Sequence, residues 1–237
     1  MNEIDGKDIY VKQSKLYNPN QQNPKVFIYG AGSIGSHVTM GLAKIGISDI
    51  TIYDYDTVEL TNVPAQFFSV EQAQEEKTKT ESIKSLVEYM TGIQIKTENL
   101  KIDDDFQPTP TINSIHILAI DNIEIRKLLA LKLKGFPVHI IDGRIGGFNY
   151  DKYYLQAEDD DTFTEYLSSL EGEFSEEECG TKCLWALNSL VASKITTDII
   201  KLTQGKQPSP FLRGNLLTEM VIEKKPKSKV TQNAIHM

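Results

Sequence analysis

Three glycines, Gly30, Gly32 and Gly35, stand in a G-x-G-x-x-G spacing directly after the apolar run Val26 to Tyr29. The first permits a tight turn. The second lets the backbone approach a phosphate closely, and the third lets the following helix pack against the strand. That helix, opening through Ser33 and Ile34, presents unpaired N–H groups and a partial positive charge to an anion. Asp54 closes a second apolar run, Ile50 to Tyr53, where a carboxylate can accept hydrogen bonds from ribose hydroxyls. Asp56 either contacts the same ligand or caps the loop that follows. NAD, FAD and ATP folds share this opening, so these residues point to a nucleotide without naming it.

The elements that position these groups are read from periodicity. Val38, Leu42 and Ile45 give a helix between the two runs, which makes a βαβ unit. Further strands are expected at 93–100, at 115–120 before Asp121-Asn122, and at 137–141 before Asp142-Gly143-Arg144. Helices are expected from about Lys77 to Met90, stopped by Gly92, and through Ile125, Leu128, Leu129 and Leu131. This alternation predicts an α/β, doubly wound, Rossmann-like sheet, mostly parallel, with polar residues collected in the crevice at its strand ends. Antiparallel additions are expected in the C-terminal half: a hairpin over 146–156 around Asn149 to Lys152, and a last strand over 211–223. A long helix spans 185–202, with Trp185 as a packing residue. The acidic stretch at about 157–178 reads as a crossover loop or short surface helices. Residues 1–24 read as an N-terminal arm, lying on its own domain or reaching a partner subunit. Residues 25–223 form one domain, and 224–237 a disordered tail.

A chain of 237 residues, 40% hydrophobic and 24% charged, is that of a soluble globular protein. The net charge of −8 argues against nucleic acid or an anionic membrane as partner. No apolar run approaches a membrane span, and the first ten residues lack the hydrophobic core of a signal peptide. The two cysteines, Cys179 and Cys183, make no disulfide framework, which suits a reducing cytoplasm. Cys179 lies just before the long helix, where the dipole favours a thiolate able to accept an acyl group as a thioester. Glu176 to Glu178 act against that, and a plain thiol is the alternative. None of the four histidines shows an acid–base partner, which weakens a dehydrogenase reading.

The stretch GAGSIGSHVTMGLAKIGISDITIYDYDTVELTNVPAQFF resembles the opening of the E1-like activating enzymes, the ThiF/MoeB/HesA superfamily. The resemblance continues at Lys79, in AIDNIEIR (Ala119 to Arg126) and in the helix CLWALNSLVASKITTDIIKL, over roughly residues 25–205. A single-domain bacterial or phage branch is similar around Asp142-Gly143-Arg144. The resemblance implies adenylation of a carboxylate with ATP and Mg²⁺. The acceptor it implies is the C-terminus of a ubiquitin-like or sulfur-carrier protein, or a peptide, and the enzyme would work as a homodimer. By position, Asp54 would hold the ribose, Asn62, Gln66 and Lys79 would line the phosphates, and Asp121 would hold Mg²⁺ beside Asn122. The family's arginine in the Asn-to-Gln segment is Ala65 here. Arg144, or Lys12 from the arm, is the candidate replacement, and an ion pair of Arg144 with Asp142 is the alternative. Two cysteines cannot form the four-thiolate zinc site of many members. Two other readings stand beside this one: a nucleotide-binding interaction module without catalysis, kept open by Ala65, and an NAD-dependent oxidoreductase.

Overall fold

The computed structural model describes residues 9–171 and 184–225. Its centre is an eight-stranded sheet in the order β3-β2-β1-β4-β5-β6-β7-β8. Strands β1 (Val26–Tyr29), β2 (Ile50–Asp54), β3 (Lys96–Asn99), β4 (Ile115–Leu118) and β5 (His139–Gly146) run parallel, and β6 (Asn149–Gln156), β7 (Phe211–Asn215) and β8 (Val221–Lys224) continue antiparallel. All four residues of β1 and of β4 are buried, as expected of parallel strands covered on both faces.

The two-residue alternation of the strands divides the core. Val26, Ile28, Ile50, Ile52, Ile115 and Ile117 pack under α1 (Ser33–Lys44), α3 (Lys79–Thr91) and α6 (Trp185–Thr203). Phe27, Tyr29, Tyr53 and Leu118 face α4 (Ile123–Leu133) and α5 (Asp160–Ser168). A 3-10 turn, Leu60–Asn62, and the short helix α2 (Val70–Gln74) lie between β2 and α3. Gly92 closes α3 in the left-handed conformation at φ 73°, as its place in the pattern requires.

Three elements differ from the sequence reading. The hairpin is wider than expected: β5 continues past Ile141 to Gly146, and the turn is Gly147-Phe148. Asp142 and Arg144 bond to each other within the strand, so polarity does not end it. The acidic stretch, read as a crossover loop or short surface helices, contains a short helix, α5, that is not only a surface element; it is capped by Asp159, whose Oδ1 accepts from the Asp161 and Thr162 N–H groups. Phe163, Tyr166 and Leu170 enter the core from it. The expected last strand is two strands, β7 and β8. Residues 9–24 of the arm lie on their own domain, with Tyr17 buried, Gln13 Nε2 donating to the Ile45 carbonyl and Gln22 Nε2 to that of Thr203. Cys179 and Cys183 fall outside the described residues.

Under the sheet, His116 is fully buried, stacked on Phe27 and hydrogen-bonded to the Tyr29 and Ser114 hydroxyls. Burial, helped by the neighbouring His139, holds its pKa down to about 3. The unfolded chain therefore binds a proton near pH 6.5 that the folded chain refuses, so stability falls as pH drops from 6.5 towards 3. Urea titrations from pH 7 to 4.5 should lose about 1.4 kcal/mol per pH unit from this residue once below 6.5. In His116→Phe this loss should shrink, and an unchanged pH slope would contradict the assignment.

Candidate active site

The loop between β1 and α1 is set by close approach. A Cβ on Gly35 would lie 1.8 Å from the Gly30 carbonyl oxygen, and one on Gly30, at φ +100°, 2.6 Å from that of Ala119. Around Gly32 a Cβ would meet no atom of the described residues within 4 Å, so the loop leaves space beside the start of α1. Gly32 is the N-cap of α1 and has no side chain to cap it, and the N-terminal end of α1, with its partial positive charge, lies at this loop.

Asp54 stands at the end of β2 against this loop. Its Oδ2 accepts from the Ala31 N–H at 2.6 Å, and its Oδ1 from the Asp56 N–H at 2.8 Å. Burial raises its pKa, while these two bonds and nearby Lys79 oppose the rise. Lys79 is buried at the first position of α3, and its Nζ donates to Asp56 Oδ2 at 2.6 Å. Its backbone N–H bonds the Asp56 carbonyl, so Asp54, Asp56 and Lys79 form one cluster beside the glycine loop.

The Asn62 side chain accepts from the Glu59 N–H and closes the 3-10 turn, whose Asn62 carbonyl receives the Gln66 N–H. Gln66 is buried, and among the described residues its Oε1 accepts no hydrogen bond. Between them Ala65 is buried, and its carbonyl accepts from His37 Nε2 at 3.0 Å and Asn188 Nδ2 at 2.7 Å. The segment is thus fixed from α1 and α6, and Asn188 is a supporting residue that sequence reasoning missed. Its signal was a lone amide on an apolar helix face. Trp185, read as a packing residue, covers this corner but stays 41% exposed, edge-on to His37.

Asp121 is exposed in the loop after β4, whose Ala119 abuts Gly30, and Asn122 caps α4 by accepting the Ile125 N–H. Arg144 is the candidate replacement for the family's arginine. It is buried in β5, with Nε on Asp142 Oδ2 at 2.8 Å and its other nitrogens on Ser169, the alternative the sequence left open. Lys12 is exposed on the arm. Among the described residues no three acidic, histidine or cysteine side chains converge on a metal position. Asp121 alone suits Mg²⁺, which is commonly held by one or two carboxylates with phosphate oxygens and water completing the shell. The glycine loop at the start of α1 and the Lys79 ammonium fit the phosphates of a nucleotide, and the Gln66 oxygen, an acceptor, fits a hydroxyl or amino donor of its nucleoside.

The solved structure of E. coli MccB with MccA superposes at TM-score 0.72 and 19% identity, covering 95% of this chain and 72% of that one. PaaA superposes at 0.70 and 16% identity, covering 95% and 85%. Among curated proteins, the adenylyltransferase and sulfurtransferase MOCS3 of Aedes aegypti is 37% identical over 107 residues, 44% of this chain and 24% of that protein. The molybdopterin-synthase adenylyltransferase of Haemophilus influenzae is 32% identical over 122 residues, 50% and 49%. The chain spans about half or less of the length of the curated relatives it matches. No described helix is long and apolar enough to cross a membrane. The ThiF family profile matches residues 15–234, nearly the whole sequence, and the chain belongs to the ThiF family.

Proposed function

We propose that the protein binds ATP with Mg²⁺ and adenylates a carboxylate, the C-terminus of a ubiquitin-like or sulfur-carrier protein or of a peptide, and that it does so as a cytoplasmic homodimer. The observation that carries this reading is the glycine loop at the N-terminus of α1, where a Cβ on Gly32 would meet no described atom within 4 Å, with Asp54 and Lys79 in one bonded cluster beside it. The relatives named as adenylyltransferases, and an E. coli MccB structure with AMPCPP and MccA, support a nucleotide and a carboxylate acceptor.

In this reading the Asp54 carboxylate orients the ribose, and the glycine loop and α1 N–H groups hold the phosphates. An oxygen of the acceptor carboxylate attacks the α-phosphorus, the bond to the β-phosphate oxygen breaks, and pyrophosphate leaves with the electron pair. No general base is required, because the nucleophile is already ionised. Two anions approach each other, so Lys79 lowers the repulsion, and Mg²⁺ at Asp121 would supply further positive charge to the phosphates. Lys79 must exchange Asp56 for a phosphate oxygen. A charge-assisted bond of this kind is worth roughly 1.5–3 kcal/mol, or about ten- to a hundredfold in affinity. Calorimetry with Mg·ATP should therefore show Lys79→Ala weakened by that factor, and an unchanged affinity would remove Lys79 from the site.

A non-catalytic nucleotide-binding module is favoured by one observation, the buried Ala65 where the family carries an arginine. ATP binding without acceptor-dependent pyrophosphate exchange would select it.

A further inference from the structure

Asp142 is completely buried in the middle of β5, in register with Leu118 of β4. Its Oδ1 accepts from Arg126 Nη1, and its Oδ2 from Arg144 Nε at 2.8 Å and the Tyr166 hydroxyl at 3.0 Å. One carboxylate thus sits between two guanidinium groups with little solvent. The arrangement is costly compared with apolar packing, and burial lowers the Arg126 pKa to about 10.

Each guanidinium reaches a different place. Arg126, in the first turn of α4, also donates Nη1 to the carbonyls of Leu118, at 3.2 Å, and Gly143, at 3.0 Å. It therefore ties the end of β4, immediately before the loop that carries Asp121, to the middle of β5. Arg144 donates Nη1 to the Ser169 carbonyl at 3.1 Å and Nη2 to its hydroxyl at 3.2 Å, at the C-terminal end of α5. Its guanidinium lies over the Tyr153 ring at 4.3 Å. At Gly143, between Asp142 and Arg144, a Cβ would lie 3.1 Å from side-chain carbons of Ile195 and Val191, so a larger residue would have to displace them by a few tenths of an ångström. A continuous set of bonds therefore runs from Ser169 through Arg144, Asp142 and Arg126 to the Leu118 carbonyl.

We infer that Asp142 is a positioning residue, coupling the C-terminal end of α5 through Arg144 and Arg126 to the strand end that sets Asp121. The inference rests on the assignment of Asp121 to the metal side of the nucleotide. Its consequence is that a change at α5 alters how the crevice uses Mg²⁺, and not simply how stable the fold is. Arginine is specific to this role, because its planar fork serves Asp142 and Ser169 together, which a lysine ammonium does not.

The test is calorimetric, with ATP titrated into the full chain with and without Mg²⁺, and reads the gain in affinity that the metal confers. The wild-type gain is expected to be tenfold or more, and Asp121→Ala to remove it. Arg144→Lys and Ser169→Ala should each cut the gain at least threefold while leaving metal-free ATP affinity within twofold and circular dichroism unchanged. Asp142→Asn should cut it further, and the two milder variants decide the matter if Asp142→Asn does not fold. A purely structural network would lower the melting temperature and leave the gain untouched in Arg144→Lys and Ser169→Ala, and that result overturns the coupling. A wild-type protein with no gain from Mg²⁺ overturns the Asp121 assignment itself, and is distinguished by appearing before any variant is made.

Discussion

Gly35→Ala is expected to abolish nucleotide binding and to destabilise the protein by about 3 kcal/mol or more, at or beyond the upper end of ordinary overpacking. The added methyl carbon would lie 1.8 Å from the Gly30 carbonyl oxygen and 2.8 Å from its carbon, neither of which is a flexible side chain. Gly30 cannot retreat. Its N–H is bonded to the Tyr53 carbonyl at 2.8 Å, and its own α-carbon already faces the Ala119 backbone. Helix α1 must therefore lift from β1, and the N–H groups proposed to hold phosphate move with it. Gly32→Ala is the informative partner, because its methyl group meets no atom of the described residues within 4 Å. It should keep its urea midpoint and still lose ATP affinity, since the space it fills is the ligand's. Gly35→Ala with wild-type ATP affinity, or Gly32→Ala binding normally, would show that the phosphates lie elsewhere.

Asp121→Ala separates chemistry from stability in the opposite sense. Asp121 is exposed, so its removal should leave the melting temperature nearly unchanged. Loss of a metal-held charge at the reacting phosphate is worth several kcal/mol of transition-state stabilisation, about a thousandfold in rate. Mg²⁺-dependent pyrophosphate exchange, measured with an acceptor once one is found, should fall by about that factor. An active Asp121→Ala protein would rule out the site.

How much of this was legible in the sequence follows from the range of the interactions. The strands β1, β2 and β4 announce themselves as apolar runs, and the glycine loop and Asp54 carry a short spacing that can be read along the chain even though their contacts are distant. Helix α5 was obscured because acidic residues cover its solvent face, although Phe163, Tyr166 and Leu170 hold the i, i+3, i+7 spacing of a buried stripe. The length of β5 was misjudged because Asp142 and Arg144 look like a strand end unless Arg126, on another helix, is known to meet them. The buried pair of Lys152 on β6 and Asp198 on α6, with Ser209 as a further acceptor, joins residues too far apart in sequence for any local pattern to reveal. The same holds for Asn188 and the Ala65 carbonyl. Asp56 meets Lys79, a contact made by strand end and helix start rather than by spacing.

The most direct test of the nucleotide assignment is calorimetry on the wild-type chain, with Mg·ATP and NAD titrated separately. The account predicts saturable, Mg²⁺-dependent ATP binding and no comparable heat from NAD. Binding of NAD with ATP silent would contradict it, and would leave Asn62, Gln66, Lys79 and Asp121 without the roles assigned to them.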